Sequence, residues 1–318
     1  MSALLDETAR GVYVIVPTPF FEDGRLDLES ADRLVDFYLE EGVQGLTILG
    51  VMGEAPKLSL EEQILFTRRI LARCQGRLPV VVGVSNPGLD NLADLAQRSM
   101  DAGAAGVMVA GHANLKTDVQ VEAYFRQVAT RLGVNVPICL QDYPPTTGVY
   151  FSVSVINSLI ETCPSIVMFK HEDCPGHRKL SQLRDAGESA SVRRVSILTG
   201  NGGLYVPQEL LRGADGIMTG FAFAGMLVDV WRCFRDERSE EGEDLFDLYL
   251  PLMRHEQQIG FGLALRKETL RRRGALSSAK TRDPGPSMDR RDHEELTRLL
   301  ERLKRKLIET GSAMPLGL

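Results

Sequence analysis

Eight short apolar runs punctuate the chain. They are "VYVIV" (12–16), "LTIL" (46–49), "PVVVGV" (79–84), "GVMVA" (106–110), "VPICL" (136–140), "IVMF" (166–169), "VSIL" (195–198) and "GIMTG" (216–220). They are rich in Val and Ile, and continuous where a half-exposed strand would alternate. Such runs suit strands buried on both faces of a parallel sheet. Stretches of helical period lie between them. "LESADRLVDFYLEEG" puts Leu28, Ala31, Leu34, Val35 and Tyr38 on one face and stops at Gly42. "SLEEQILFTRRILARC" opens with Ser59 and Glu62 at capping-box spacing, which satisfies the first orphan amides of a helix. "DNLADLAQRSMDAG" starts on Asp90 and ends at Gly103. Repeated strand–helix units predict an α/β fold, and eight of them predict a closed (β/α)8 TIM barrel. A doubly wound sheet would call for a GxGxxG after the first strand, where this chain has "PTPFFEDG".

The eighth unit ends near Arg235, so the expected division is a barrel over 1–235 and a C-terminal helical extension over 236–318 packed on it. In that extension Pro251 is expected to kink or split a long periodic segment. "LTRLLERLKRKL" sets Leu296, Leu299, Leu300, Leu303 and Leu307 on one stripe, which also suits subunit contacts.

Composition narrows the function. The 318 residues carry a formal charge of −6, which argues against a nucleic-acid partner. The basic stretches "RKETLRRRG" (266–274) and "RLKRK" (302–306) read as solvated helix faces. No run is long enough to span a membrane, and the N-terminus lacks the pattern of a signal peptide. Five scattered cysteines without a CxxC pair, and five scattered histidines, suit a cytoplasmic protein without a metal site.

Chemistry in such barrels sits at the C-terminal ends of the strands. "IVMFKHED" therefore stands out, because a buried-looking run ends on Lys170. A lysine held there in a partly dry pocket is a nucleophilic amine; the alternative is a strand-end lysine snorkelling to solvent. Glu172 and Asp173 either orient it or begin the next helix. His112 and His171 suit proton shuttles or polar loop positions. The turn "GVMGE" (50–54) offers backbone amides to a carboxylate, or is a plain strand-to-loop turn. "TGNGG" and "GFAFAG" fit a phosphate site or close backbone packing, and neither holds a basic residue.

In this order, "VPTPFFEDGRLD", "GVMGE", "PVVVGVS", "QDYPPTTG", "MFKHE", "LTGNGG" and "ADGIMTG" resemble the dihydrodipicolinate synthase / N-acetylneuraminate lyase family of class I aldolases. The resemblance covers nearly the whole chain. It implies a (β/α)8 barrel with C-terminal helices, a homo-oligomer (tetramer or dimer) and no cofactor. It also implies an imine between Lys170 and pyruvate or another 2-oxo acid. Gly50, Val51, Met52, Gly53 and Glu54 fall on the family's carboxylate-holding turn. Thr146, Gly200 and Met218 complete the implied substrate contacts. Several positions depart from the family pattern. Val51 and Met52 replace the turn's hydroxyls, Gln141 replaces the proton-relaying tyrosine, and Thr146 replaces the arginine that grips a distal carboxylate. Tyr143 is the expected substitute in proton transfer, with Asp142, His112 and His171 as others. The expected function is a Schiff-base lyase, aldolase or dehydratase. The alternatives are a catalytically silent barrel that binds a small carboxylic acid and a phosphate-binding isomerase.

Overall fold

In the computed structural model, which describes residues 3–318, eight parallel strands close a barrel in chain order. They are β1 (Gly11–Ile15), β2 (Gly45–Ile48), β3 (Val80–Gly83), β4 (Gly106–Ala110), β5 (Ile138–Asp142), β6 (Ile166–His171), β7 (Ser196–Thr199) and β8 (Gly216–Ile217). The ring closes where Gly11 and Val12 of β1 pair with Gly216 and Ile217 of β8. The helices around it are α1 (Leu28–Glu40), α2 (Leu60–Cys74), α3 (Leu89–Asp101), α4 (Asp118–Leu132), α5 (Pro144–Thr147), α6 (Val153–Thr162), α7 (His177–Glu188), α8 (Val206–Leu211) and α9 (Ala224–Arg235). Ser59 and Glu62 form the expected capping box at the start of α2. α3 begins one residue before Asp90, with Gly88 at its N-cap.

Alternation along the strands sorts side chains between two cores, since successive Cβ atoms point to opposite faces. Tyr13, Ile15, Val81, Met108, Cys139, Val167, Met168, Leu198 and Met218 fill the barrel interior. Val14, Ile48, Val82, Val109, Leu140, Phe169 and Ile197 pack outward beneath the helices. Two strands outrun their apolar runs: β5 carries on through Gln141 and Asp142, and β6 through Lys170 and His171. By the same alternation Gln141 and Lys170 face inward, while Asp142 and His171 face outward.

The tail adds α10 (Ser239–Glu256), α11 (Gly262–Arg272) and α12 (Arg290–Thr310). Pro251 does not split α10, which runs through it to Glu256. Phe246, Tyr249, Leu252 and Met253, buried on both sides of the proline, hold the helix together across the missing hydrogen bond. The chain breaks instead around Gly260, which has φ +81°. In α12, Leu296, Leu303 and Leu307 are buried and Leu299 and Leu300 half-buried, as the stripe predicts.

The "RKETLRRRG" stretch is not a solvated face. Arg266, Lys267, Glu268 and Arg273 are all buried. Burial is tolerated because each meets an opposite charge. Arg266 pairs with Glu256 at 2.9 Å, Lys267 with Glu54 at 2.6 Å and Arg273 with Glu41 at 2.8 Å; Glu268 takes Arg271 and Arg272, each at 2.7 Å. Burial still pushes Lys267 down to about 8, against the pull of Glu54.

His171 is not a loop residue. It ends β6, fully buried between the barrel and α7. Its Nε2 lies 3.1 Å from the Gly176 carbonyl, which can only accept, so Nε2 carries the proton and Nδ1 is left bare. Burial, aided by the Lys179 charge, pushes its pKa down to about 4.

Two predictions follow from this packing. The unfolded state binds the His171 proton near pH 6.5 and the folded state only near 4. Stability from this group is therefore full above pH 6.5 and lost as the pH falls toward 4. Urea unfolding should show the wild type losing about 3 kcal/mol more than His171→Gln across that window. Lys267→Met leaves the buried Glu54 carboxylate without its shortest partner and should cost about 3 kcal/mol at neutral pH. The double variant with Glu54→Gln should recover much of that loss in a double-mutant cycle.

Candidate active site

At the C-terminal ends of β5, β6 and β7 the inward positions flank one amine. Gln141, Lys170 and Leu198 lie side by side in register on neighbouring strands. Cys139, Met168 and Met108 belong to the apolar floor beneath them. That floor is dry enough to push the Cys139 thiol up to about 12, chiefly by burial. The Lys170 side chain is only 5 % exposed, and Nζ sits 3.1 Å from Glu172 Oε2. A snorkelling lysine would carry its ammonium group into water; this one stays inside the barrel mouth.

Glu172 does not begin a helix, since α7 starts at His177. Its carboxylate is built into the mouth. Oε2 also accepts from Gln141 Nε2 at 2.6 Å, and Oε1 accepts from the Asn201 amide at 3.1 Å. Gly200 makes the room, because a Cβ there would lie 2.3 Å from Glu172 Oε1. Met218 lies in the interior cluster at the end of β8.

The 50–54 segment is a single 3-10 turn over Val51–Gly53. The Gly53 amide closes onto the Gly50 carbonyl at 3.0 Å and the Glu54 amide onto that of Val51 at 3.1 Å. Thr18 Oγ1 donates to the Gly53 carbonyl at 2.6 Å. Val51 is exposed, whereas Met52 packs against the interior cluster. Glu54, expected among the substrate contacts, has its carboxylate committed elsewhere. Oε1 takes Lys267; Oε2 takes Lys57 at 2.9 Å and the Arg282 amide at 3.0 Å. These contacts tie the turn to the C-terminal extension and leave the carboxylate no free oxygen for a ligand.

Tyr143 follows β5 as the N-cap residue of α5, half-buried. Burial raises its phenol pKa and Glu172 adds to the rise, while Thr146 and Arg266 pull it back. Thr146 itself is exposed. Asp142 is turned to the outer layer, where Lys179 Nζ binds it at 2.9 Å; burial pushes it up to about 7. His171 faces the same outer layer. His112 packs edge-on against Tyr124, ring centroids 4.9 Å apart. Of the polar groups weighed for proton transfer, Tyr143 and Asp142 both feel the Glu172 charge, and Asp142 is held in the outer layer by Lys179.

One residue at the mouth escapes sequence reasoning. Arg266 arrives from α11, with Nη1 against Met52 Sδ. A Cβ on Gly220 would lie 3.1 Å from the same nitrogen. Lys267 and Glu268 follow it, so nothing local distinguishes it from a surface arginine. Among the described residues no three His, Cys, Asp or Glu side chains converge as a metal site would need. Nor is any described helix long and apolar enough to cross a membrane.

Comparison with known proteins agrees with this architecture. A sequence model of the dihydrodipicolinate synthetase family matches residues 8–303. A protein of Azospirillum brasilense named L-2-keto-3-deoxyarabonate dehydratase is 28% identical over 298 residues, which span 92% of this chain and 94% of that one. A 4-hydroxy-tetrahydrodipicolinate synthase of Thiobacillus denitrificans is 29% identical over 235 residues, 71% of this chain and 78% of its own. A crystal structure named as dihydrodipicolinate synthase from Rhodopseudomonas palustris superposes with a TM-score of 0.93 at 46% identity, covering 95% of this chain and all of that one. The chain belongs to the dihydrodipicolinate synthetase family and is a lyase of its Schiff-base aldolase class.

Proposed function

We propose that Lys170 is the nucleophile, and that the substrate is pyruvate or a related 2-oxo acid bearing a single carboxylate. The observation that carries this reading is the buried amine 3.1 Å from Glu172 inside the barrel mouth. The ammonium proton passes toward the Glu172 carboxylate. The freed lone pair of Nζ attacks C2 of the 2-oxo acid, and the carbonyl oxygen leaves as water. The resulting iminium draws electrons from the bonds next to it. Either C3–C4 breaks and an aldehyde departs, or a C3 proton is lost and the enamine expels hydroxide from C4. Both routes need an acid–base partner. Gln141 cannot be one, because an amide does not titrate; it donates to Glu172 and fixes that carboxylate. Tyr143 takes the role the family gives to a tyrosine at the position of Gln141. The Gly50–Gly53 turn, Gly200 and Met218 line the space for the 2-oxo acid. Thr146 offers no charge to a distal carboxylate. That fits a hydroxylated monocarboxylate, the kind of compound for which the Azospirillum dehydratase is named.

The silent barrel that only binds a small acid keeps one observation in its favour, the amide at position 141. Five free cysteines, four of them buried, suit the reducing cytoplasm, where we place the protein. We also expect a homo-oligomer, a tetramer or dimer, as size-exclusion chromatography with light scattering would register.

Reduction with borohydride in the presence of pyruvate should leave a stable adduct on the peptide carrying Lys170, seen by mass spectrometry. Lys170→Ala should abolish it. The absence of an adduct with every member of a panel of 2-oxo acids would favour the silent barrel. Tyr143→Phe should keep the adduct yet lower turnover by roughly a hundredfold; unchanged turnover would remove Tyr143 from the mechanism.

A further inference from the structure

The Schiff-base chemistry leaves one charge at the mouth without a task. Arg266 is almost fully buried, yet most of its donors are unspent. A guanidinium has five N–H donors. Nε donates to Glu256 Oε2 at 2.9 Å, and that carboxylate oxygen also takes the Ala222 amide at 3.3 Å. Nη1 faces only the thioether of Met52, a weak acceptor. Among the described residues no acceptor takes the Nη2 protons. Its buried neighbours are better served. Lys267 is shared between Glu54 and the Lys280 carbonyl, and Arg273 between Glu41 and the Leu316 and Ala222 carbonyls. With no protein acceptor, Nη2 keeps a small contact with solvent, and a guanidinium held this way by its other nitrogens is poised for an anion.

Its position names the anion. Met52 belongs to the turn that faces the 2-oxo acid, and Gly220 lies two residues beyond inward-facing Met218, on the inner side of β8. A Cβ on Gly220 would press on Met52 Sδ at 2.6 Å, Arg266 Nη1 at 3.1 Å and Ile15 Cβ at 3.3 Å, so the glycine keeps the guanidinium's place open. The charge of Arg266 also reaches Tyr143, on the far side of the mouth. Val51 and Met52 supply no hydroxyl to a carboxylate.

We infer that Arg266 binds the carboxylate next to the reacting carbonyl of the 2-oxo acid, so that the C-terminal extension supplies the charge the 50–54 turn lacks. Glu256 is the positioning residue that aims it. The inference rests on the Schiff-base reading of Lys170. It makes the site selective for 2-oxo acids over their esters, through a bidentate contact that a lysine ammonium cannot reproduce.

The test is borohydride trapping at increasing concentrations of pyruvate and, separately, of its uncharged methyl ester. It is run on the full-length wild type, Arg266→Met and Arg266→Lys. The half-saturating pyruvate concentration should rise roughly tenfold or more in Arg266→Met, while that of methyl pyruvate moves less than about twofold. Arg266→Lys, which keeps the buried charge, should show the same selectivity at a smaller size, and it carries the test if the methionine variant fails to fold. Equal shifts for acid and ester, or no shift for the acid, overturn the role of Arg266 and leave the Lys170 chemistry standing. A wild type that traps neither compound, nor any other 2-oxo acid of the panel, overturns both.

Discussion

The structure turns on one contact, the ammonium of Lys170 against the carboxylate of Glu172 inside a closed barrel. Neither charge is tolerable there alone, because removing an ion from water costs several kcal/mol. The pair survives because the rest of the mouth completes it. Gln141 donates to one glutamate oxygen and the Asn201 amide to the other, and Gly200 withholds the side chain that would collide with the glutamate. The strand register does the remaining work. Gln141 and Lys170 are direct neighbours across β5 and β6, so a shift of one residue would send both into the outer layer.

The same principle governs the C-terminal extension. α11 buries paired charges alongside Ala264, Leu265 and Leu270. Lys267 locks onto Glu54 of the active-site turn, and Arg273 onto Glu41 at the end of α1. Buried ion pairs of this kind add little net stability over apolar packing, but a mispaired one is heavily penalised. They therefore hold the extension in a single register over the barrel mouth. That register decides where Arg266 sits, against Met52 of the 50–54 turn.

The replacement of a tyrosine by Gln141 also finds its place. An amide between two strands gives Glu172 a permanent donor that does not titrate, so the carboxylate is steadied without competing for the lysine's proton. The proton partner we propose lies beyond the strand end. Tyr143 stands there, half-buried, under the opposed fields of Glu172 and Arg266.

Period and composition determined the barrel. Eight Val- and Ile-rich runs separated by amphipathic stretches are a local code, set by which side chains each strand and helix must bury. Lys170 was legible for the same reason, as a charge at the end of an apolar run, and its family resemblance followed from short motifs in order. What the sequence left open depended on partners distant in the chain. Glu172 could be told from a helix start only once Gln141 and Asn201 were seen to claim its oxygens. His171 looked like a loop residue until β6 was found to extend through it. Glu54 looked like a ligand contact until Lys267, some two hundred residues later, was found to hold it. The run of charges around Arg266 looked solvated, because hydropathy records the price of burying a charge and not the opposite charge that offsets it. Only the tertiary structure brings those charges together, and so only the tertiary structure places Arg266 at the mouth.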